Sequence, residues 1–137
     1  REDSTVWGGI LTEISHRSGI AVTVIDGVSR DMALCLDLRY PIFARGRWMR
    51  TGKDRVQVEA VNRTVAIGGV RVAPGDIVRG DADGLVVLPR EHEGAILEAA
   101  EEIGRAEDAI RAAVRDGKRL DVARAEFRYH SLQTREK

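Results

Sequence analysis

The segment Ile20-Ala21-Val22-Thr23-Val24-Ile25 most constrains the fold of this chain, because it is almost entirely apolar and rich in β-branched residues. Such residues favour strands, and a strand that is apolar on both faces needs a covering layer on each side. Asp26-Gly27 is predicted to end this strand, and a short helix follows from Asp31 to Leu38. A second strand over Ile42-Phe43-Ala44 completes a β-α-β order, which predicts an α/β fold.

Helices are predicted on either side of this β-α-β unit. From Trp7 to Ser18 apolar residues recur at helical spacing, and Gly19 follows as a C-cap. From Pro89 to Asp116 apolar residues recur every three or four positions with charges on the opposite face, and Gly117 ends that helix. A last helical segment is predicted from Leu120 to about Tyr129.

Short strands separated by tight-turn signals are predicted for the middle of the chain. Pairs such as Gly68-Gly69 and Asp83-Gly84 are typical of turns between adjacent strands. We therefore expect a β-rich layer within a single domain that spans residues 1–137. The predicted strands are Val56–Ala60, Thr64–Ile67, Val70–Val72, Asp76–Val78 and Leu85–Leu88.

Charge and composition exclude several classes of function. The 22 basic residues balance 22 acidic ones, so the chain lacks the basic excess of an electrostatic nucleic-acid binder. No segment approaches the roughly 20 apolar residues that a membrane-spanning helix needs. The single cysteine, Cys35, excludes an intramolecular disulfide, and we expect a buried structural thiol in a cytoplasmic protein.

Arg30 and Asp31 are adjacent just past the predicted end of the first strand, where open α/β sheets bind ligands. Arginine holds carboxylates through two parallel hydrogen bonds, and aspartate is a hard oxygen ligand of the kind that Mg²⁺ prefers. Together they would hold a 2-oxo acid and stabilise an enolate on its oxygen. The same pair at a turn also fits a surface salt bridge or a helix cap, so both interpretations stay open.

Gly8-Gly9-Ile10-Leu11 begins the first predicted helix. Backbone N–H groups at a helix N-terminus bind anions, and glycine allows a ligand to approach closely. A plain N-terminal turn would use the same glycines. The segment is therefore a candidate substrate-binding site with a structural alternative.

Five segments of the chain, in order, resemble those of one protein family. Their order and spacing hold from Trp7 to about Gly117, and several motifs in one register are far more specific than any single one. The chain resembles the RraA-like family, which includes 4-hydroxy-4-methyl-2-oxoglutarate aldolases that also decarboxylate oxaloacetate, and RraA regulators of ribonuclease. The segments are Gly8-Gly9-Ile10-Leu11, Val24-Ile25-Asp26-Gly27-Val28-Ser29-Arg30-Asp31, Pro41-Ile42-Phe43-Ala44-Arg45-Gly46, Gly68-Gly69-Val70-Arg71-Val72-Ala73-Pro74-Gly75-Asp76 and Asp81-Ala82-Asp83-Gly84-Leu85-Val86-Val87-Leu88-Pro89.

The resemblance implies a swivelling β/β/α domain that assembles into homotrimers or hexamers with active sites between subunits. It implies that Arg30 contacts the substrate and that Asp31 binds a divalent cation, Mg²⁺ or Mn²⁺, through its carboxylate and ordered waters. Residues Gly8, Gly9, Ile10 and Leu11 would hold the substrate carboxylate with backbone amides. Glu107 lies near the sequence position at which family aldolases have a glutamate, and in those aldolases the glutamate comes from the C-terminal helix of a neighbouring subunit.

Two departures from the family pattern leave alternatives open. The aldolase signature has an acid twenty-one residues before the arginine, where this chain has Gly9. The regulator branch has glycine there but adds a glutamate and an arginine after the Arg-Asp pair, and Met32 to Asp37 supplies neither. We therefore expect a metal-dependent lyase that acts on a small 2-oxo acid by aldol cleavage or decarboxylation through a pyruvate-like enolate. The missing acid counts against full aldol cleavage, whereas decarboxylation or enolisation remains compatible with the residues present.

Two alternatives to the lyase remain. One is a regulator that binds a ribonuclease, and the other is a non-catalytic or partial subunit of a hetero-oligomer. The second reflects the expectation that the family's N-terminal region is missing here or supplied by a second chain.

Overall fold

The computed structural model describes residues 2–132 and 134 of an α/β chain. The chain divides into two compact units, Arg1–Val87 and Leu88–Lys137. The first unit contains helices and the predicted β-α-β arrangement, and the second contains the C-terminal helices. None of the helices in the described part of the chain is long and apolar enough to cross a membrane.

The first unit begins with helix α1 (Gly9–Arg17), strand β1 (Thr23–Ser29), helix α2 (Met32–Asp37) and strand β2 (Ile42–Arg47). Strands β1 and β2 pair in parallel, and α2 connects them. This confirms the predicted β-α-β order.

Strand β1 differs from its prediction in position and in burial. It starts at Thr23 and continues through Asp26-Gly27 to Ser29, because a register shift between Ile25 and Val28 accommodates both residues within the strand. The prediction that Asp26-Gly27 ends the strand was wrong. Burial on both faces was also wrong for the first half, which is half-buried, whereas Gly27, Val28 and Ser29 are buried.

The β-rich middle of the chain forms two hairpins. Strands β3 (Val65–Ile67) and β4 (Val70–Val72) pair antiparallel, and Gly68 and Gly69 between them have φ of 59° and 81°, which favour glycine. Strands β5 (Ile77–Gly80) and β6 (Leu85–Leu88) form another two-stranded sheet.

The predicted strand over Val56–Ala60 is wrong. No ladder partner exists for it among residues 2–132 and 134, and Val58 is 81% exposed. The alternation of apolar and polar residues in this segment therefore does not correspond to a strand in the structure.

The second unit consists of a 3₁₀ turn (Arg90–His92) and the helices α3 (Glu93–Arg115), α4 (Leu120–Glu126) and α5 (Tyr129–Leu132). The long amphipathic helix is confirmed, although its predicted first turn is 3₁₀ rather than α. Gly117 ends the helix region with φ 91°, and Arg128 separates α4 from α5 with φ 52°. Ile110 and Ala123 are buried where α3 packs against α4.

Candidate active site around Arg30 and Asp31

Asp31 lies between β1 and α2 in the left-handed region, with φ 58° and ψ 37°. It is the N-cap residue of α2, yet its side chain makes no capping bond to that helix. Instead its Oδ2 accepts a hydrogen bond of 2.7 Å from the backbone N–H of Gly9, the first residue of α1. Asp31 therefore caps a helix that is distant in sequence, and its negative charge faces the positive end of that helix.

Gly8 gives the Arg30 and Asp31 side chains room to approach α1. Its φ of −164° is extended backbone that any residue adopts, so conformation does not require glycine here. A Cβ at this position, however, would lie 2.8 Å from Nε of Arg30 and 2.9 Å from Oδ2 of Asp31. Close approach of the two side chains is therefore the reason for glycine.

The Arg30 guanidinium has a buried nitrogen that forms an ion pair but no hydrogen bond within the described part of the chain. Its Nε lies 3.5 Å from Oδ2 of Asp31, and it has no hydrogen-bond partner within the described part of the chain. The side chain as a whole is 38% exposed, so its terminal nitrogens remain accessible. A buried unpaired donor costs about 1–3 kcal/mol, which an arriving acceptor would recover.

Thr12 holds the N-terminal turn of α1 in place. Its fully buried hydroxyl donates to the Gly8 carbonyl at 3.2 Å and accepts from Nε1 of Trp7 at 2.9 Å. The hydroxyl also lies 3.5 Å from Sγ of Cys35, which is buried as predicted. The backbone N–H groups of Ile10 and Leu11 belong to this first turn and have no acceptor inside the helix.

A cavity of about 720 Å³, which we call the Arg30 cavity, brings together Gly8–Leu11, Arg30 and Asp31. The predicted substrate-binding and metal-binding residues of the first unit thus share one cavity. Its other lining residues are Thr5, Val6, Trp7, Glu13, Leu34, Thr51, Gly52, Lys53 and Val56.

Lys53 and Glu13 are charged residues of the Arg30 cavity that the sequence analysis did not single out. Lys53 follows Thr51, which pairs with Thr5 in an isolated parallel β-bridge, and this pairing holds the Lys53 loop against the start of the chain. A Cβ at Gly52 would meet the carbonyl oxygen of Thr5, so only glycine lets the loop lie this close. The rarity of lysine in this arginine-rich chain was the only sequence signal for Lys53.

A second cavity, of about 830 Å³, also has Arg30 and Asp31 in its lining. Its remaining lining residues are Ser29, Met32, Arg47, Trp48 and Met49. Trp48 and Met49 are 51% and 87% exposed. The Arg-Asp pair is therefore accessible from two directions.

Asp26 forms a separate polar cluster on β1. Its carboxylate accepts from Nε of Arg45 on β2 and, at 3.1 Å, from the N–H of Gly68 in the β3–β4 turn. The hydrogen bond from Arg45, followed by that from Gly68, lowers the pKa of Asp26 below its ordinary value. The cluster joins β1, β2 and the β3–β4 turn.

Glu107 lies on α3 in the second unit. Its carboxylate pairs with Arg111 one helical turn later, at 2.9 Å. The two residues line a cavity of about 230 Å³ with Arg124 and Tyr129. The role that the resemblance implies for Glu107 stays a prediction.

Asp31 fits a hard divalent cation through one carboxylate oxygen. Both of its described contacts use Oδ2, so Oδ1 has no protein partner among residues 2–132 and 134. Within those residues no group of three or more His, Cys, Asp or Glu side chains could hold a metal. Mg²⁺ commonly binds one or two carboxylates and keeps several waters, so one aspartate beside a cavity is compatible with it.

Comparisons with known proteins point to one family. A model of the RraA-like family, described as Aldolase/RraA, matches residues 1–87. A Halalkalibacterium halodurans protein, provisionally named a 4-hydroxy-4-methyl-2-oxoglutarate aldolase, is 33% identical over 109 residues, 80% of this chain and 51% of that protein. The chain spans 21 to 56% of the length of the curated relatives it matches.

Solved structures give the same result. An uncharacterized protein of Pseudomonas syringae superposes with a TM-score of 0.89 at 38% identity, covering 92% of this chain and 59% of that one. Streptomyces coelicolor RraAS2, described as an unusual member of the RNase ES inhibitor RraA protein family, has a TM-score of 0.73 at 31% identity, covering 82% and 57%. The predicted α/β RraA-like fold is confirmed, and the chain belongs to the RraA-like family.

Proposed function

We propose that this protein is a divalent-metal-dependent lyase that cleaves a carbon–carbon bond of a small 2-oxo acid. The observation that supports this most is the pairing of Arg30 with the Asp31 carboxylate on the wall of one cavity, where Nε of Arg30 is buried without a hydrogen-bond partner among the described residues. An unsatisfied cationic donor next to a carboxylate suits an anionic ligand that binds together with a cation. The aldolase name of the Halalkalibacterium relative agrees with this chemistry.

The residues of the Arg30 cavity divide the work of substrate binding. The free N–H groups of Ile10 and Leu11 receive the substrate carboxylate at the positive end of α1. Arg30 donates to the keto oxygen, where negative charge develops as the enolate forms. Asp31 would hold Mg²⁺ or Mn²⁺ through its carboxylate, and the cation would supply positive charge that stabilises the enolate. Lys53 contributes a further cation that attracts the dianionic substrate.

Decarboxylation of oxaloacetate is the reaction we favour. The bond between C3 and C4 breaks, CO₂ leaves, and the electron pair becomes the C2=C3 double bond of the pyruvate enolate. This cleavage needs no base to remove a hydroxyl proton, whereas aldol cleavage does. Gly9 supplies no acid at the position where family aldolases have one, so decarboxylation matches the residues present.

Assembly is part of the proposal. We propose a homotrimer or hexamer in which Glu107 reaches a neighbouring subunit's site, and we propose that both units belong to one RraA-like domain. Native mass spectrometry of the purified protein tests these points, because it reports the copy number and any second chain.

The main experiment measures oxaloacetate consumption and pyruvate formation with Mg²⁺, with Mn²⁺ and with EDTA, in the wild type and in Asp31→Asn. We expect activity that requires the metal and falls at least 100-fold in the variant. Activity that neither EDTA nor the substitution changes would refute the proposal.

A regulatory function is the second candidate. Gly9 matches the regulator branch of the family, and the likeness to the Streptomyces RraA protein supports it. Binding of a ribonuclease that is indifferent to Mg²⁺, together with no turnover of oxaloacetate, would favour the regulator over the enzyme.

A further inference from the structure

Of the described residues that line the Arg30 cavity, Glu13 is the one carboxylate besides Asp31. Asp31 is engaged by the Gly9 N–H and lies against Arg30. The Arg30 guanidinium does not give up its proton in proteins. Among the described residues of the lining, Glu13 and Lys53 are therefore the ionisable side chains best suited to transfer a proton.

Helix geometry directs Glu13 toward the Asp31 end of the cavity. Glu13 follows Gly9 by four residues, so the two positions lie on the same face of α1. The helix rises about 6 Å over that interval, so Glu13 begins one helical turn beyond Gly9, whose N–H donates to Asp31. Side chains on a helix tilt toward its N-terminus, and for Glu13 that direction is toward Gly9.

Gly9 keeps this route open. A Cβ there would lie 3.1 Å from Cδ2 of Leu34 and 3.4 Å from Oδ2 of Asp31, so a larger side chain would crowd the space beside Asp31. Gly9 itself carries no acid, and it therefore leaves space beside Asp31 for the Glu13 carboxylate from one turn later.

The Glu13 carboxylate is also unengaged. It is exposed, and among the described residues it makes no hydrogen bond or ion pair. Glu107, by contrast, is tied to Arg111 on its own helix. An accessible and unpaired carboxylate can exchange protons with water between turnovers.

We propose that Glu13 is the proton-transfer residue of the Arg30 cavity. The proposal rests on the lyase function above. The protonated Glu13 gives its proton to C3 of the pyruvate enolate, whose C2=C3 electron pair forms the new C–H bond. In reverse, the Glu13 carboxylate takes a proton from the methyl group of pyruvate, and the C–H electron pair becomes the C2=C3 bond with charge on the C2 oxygen.

The test separates proton transfer from bond cleavage. Proton NMR follows loss of the pyruvate methyl signal in D₂O with Mg²⁺, and a second assay follows oxaloacetate consumption. We expect Glu13→Gln to slow methyl exchange by about 10²–10⁴-fold and to slow oxaloacetate consumption less, because bond cleavage precedes the proton transfer. Glu13→Asp should restore part of the exchange, because it returns a carboxylate to the same position.

Glu59→Gln serves as the matched control, because it removes an exposed carboxylate that does not line the Arg30 cavity. We expect it to leave both pyruvate exchange and oxaloacetate consumption near the wild-type rates. Exchange that survives Glu13→Gln, falls equally in Glu59→Gln, or is lost only in Lys53→Gln would overturn the role of Glu13 and leave the lyase intact. A wild type that neither consumes oxaloacetate nor exchanges pyruvate would overturn both proposals.

Discussion

Gly8→Ala tests whether the approach of Arg30 and Asp31 to α1 matters for activity. The new methyl group would lie 2.8 Å from Nε of Arg30, and ordinary contacts begin at 3.4 Å, so that side chain must move by 0.6 Å (3.4 − 2.8). A misplacement of about 1 Å in an active site costs on the order of 10²-fold. We therefore expect kcat/KM for oxaloacetate to fall by about 10- to 100-fold.

The stability of the Gly8→Ala protein should change much less than its activity. Alanine tolerates the extended backbone at this position, and Arg30 is partly exposed, so we expect a loss of about 1 kcal/mol in the free energy of unfolding. Gly104→Ala is the matched control, because its methyl meets no atom within 4 Å. That substitution lies inside α3 and should stabilise the protein by about 0.5–1 kcal/mol without changing kcat/KM. A folded Gly8→Ala protein with activity within twofold of the wild type would contradict the steric argument.

Substitutions at three further residues test contacts in the first unit. Asp31→Asn should keep the melting temperature within about 2 °C, because an amide oxygen still accepts from the Gly9 N–H and asparagine tolerates the left-handed region. Asp31→Ala removes that acceptor and should lower the free energy of unfolding by about 1–2 kcal/mol. Calorimetry should show weaker Mg²⁺ binding in both variants. Because the pKa of Asp26 is lowered in the folded protein, its carboxylate stabilises the fold fully above the unfolded pKa of 3.8, and this contribution is lost as pH falls below that value. The Asp26→Asn protein should therefore have a lower free energy of unfolding at neutral pH, and that free energy should decline less steeply as the pH is lowered. Thr12→Val leaves the Trp7 indole N–H without its acceptor and should cost about 1–3 kcal/mol, with a shift in Trp7 fluorescence; an unchanged denaturation midpoint would contradict it.

Sequence patterns predicted what depends on local periodicity and turn chemistry. Strand β4 and strand β6 have the predicted bounds, and the Gly68-Gly69 turn has the positive φ angles that the pair implies. Val56–Ala60 was misassigned because alternation indicates a strand only where a neighbouring strand is present. The extension of β1 through Asp26-Gly27 was missed because a register shift depends on the partner strand.

The candidate site was predictable only in part, for a related reason. Arg30 and Asp31 could be found because they follow a strand, and Gly8-Gly9 because they begin a helix. Lys53 and Glu13 could not, since each reaches the Arg30 cavity through tertiary contacts or through the orientation of a whole helix. The hydrogen bond between Asp31 and Gly9 likewise joins residues 22 positions apart.

Gly8 and Asp31 form one arrangement rather than two independent features. Position 8 is the N-cap of α1, where serine or aspartate normally supplies the oxygen that accepts a first-turn N–H. Here Asp31 supplies that oxygen from another element, and a side chain at position 8 would occupy its place.

Gly8→Ser therefore separates this interpretation from helix propensity. N-cap propensity alone predicts that the protein with serine at this position is as stable as the protein with glycine, or more stable. We expect instead that the free energy of unfolding falls by about 1 kcal/mol and that Mg²⁺ binds more weakly, because the serine side chain displaces Asp31 from the Gly9 N–H. A Gly8→Ser protein that is more stable than the wild type and binds Mg²⁺ equally well would show that Asp31 is not the functional cap of α1, and the link between helix capping and cation binding would fail.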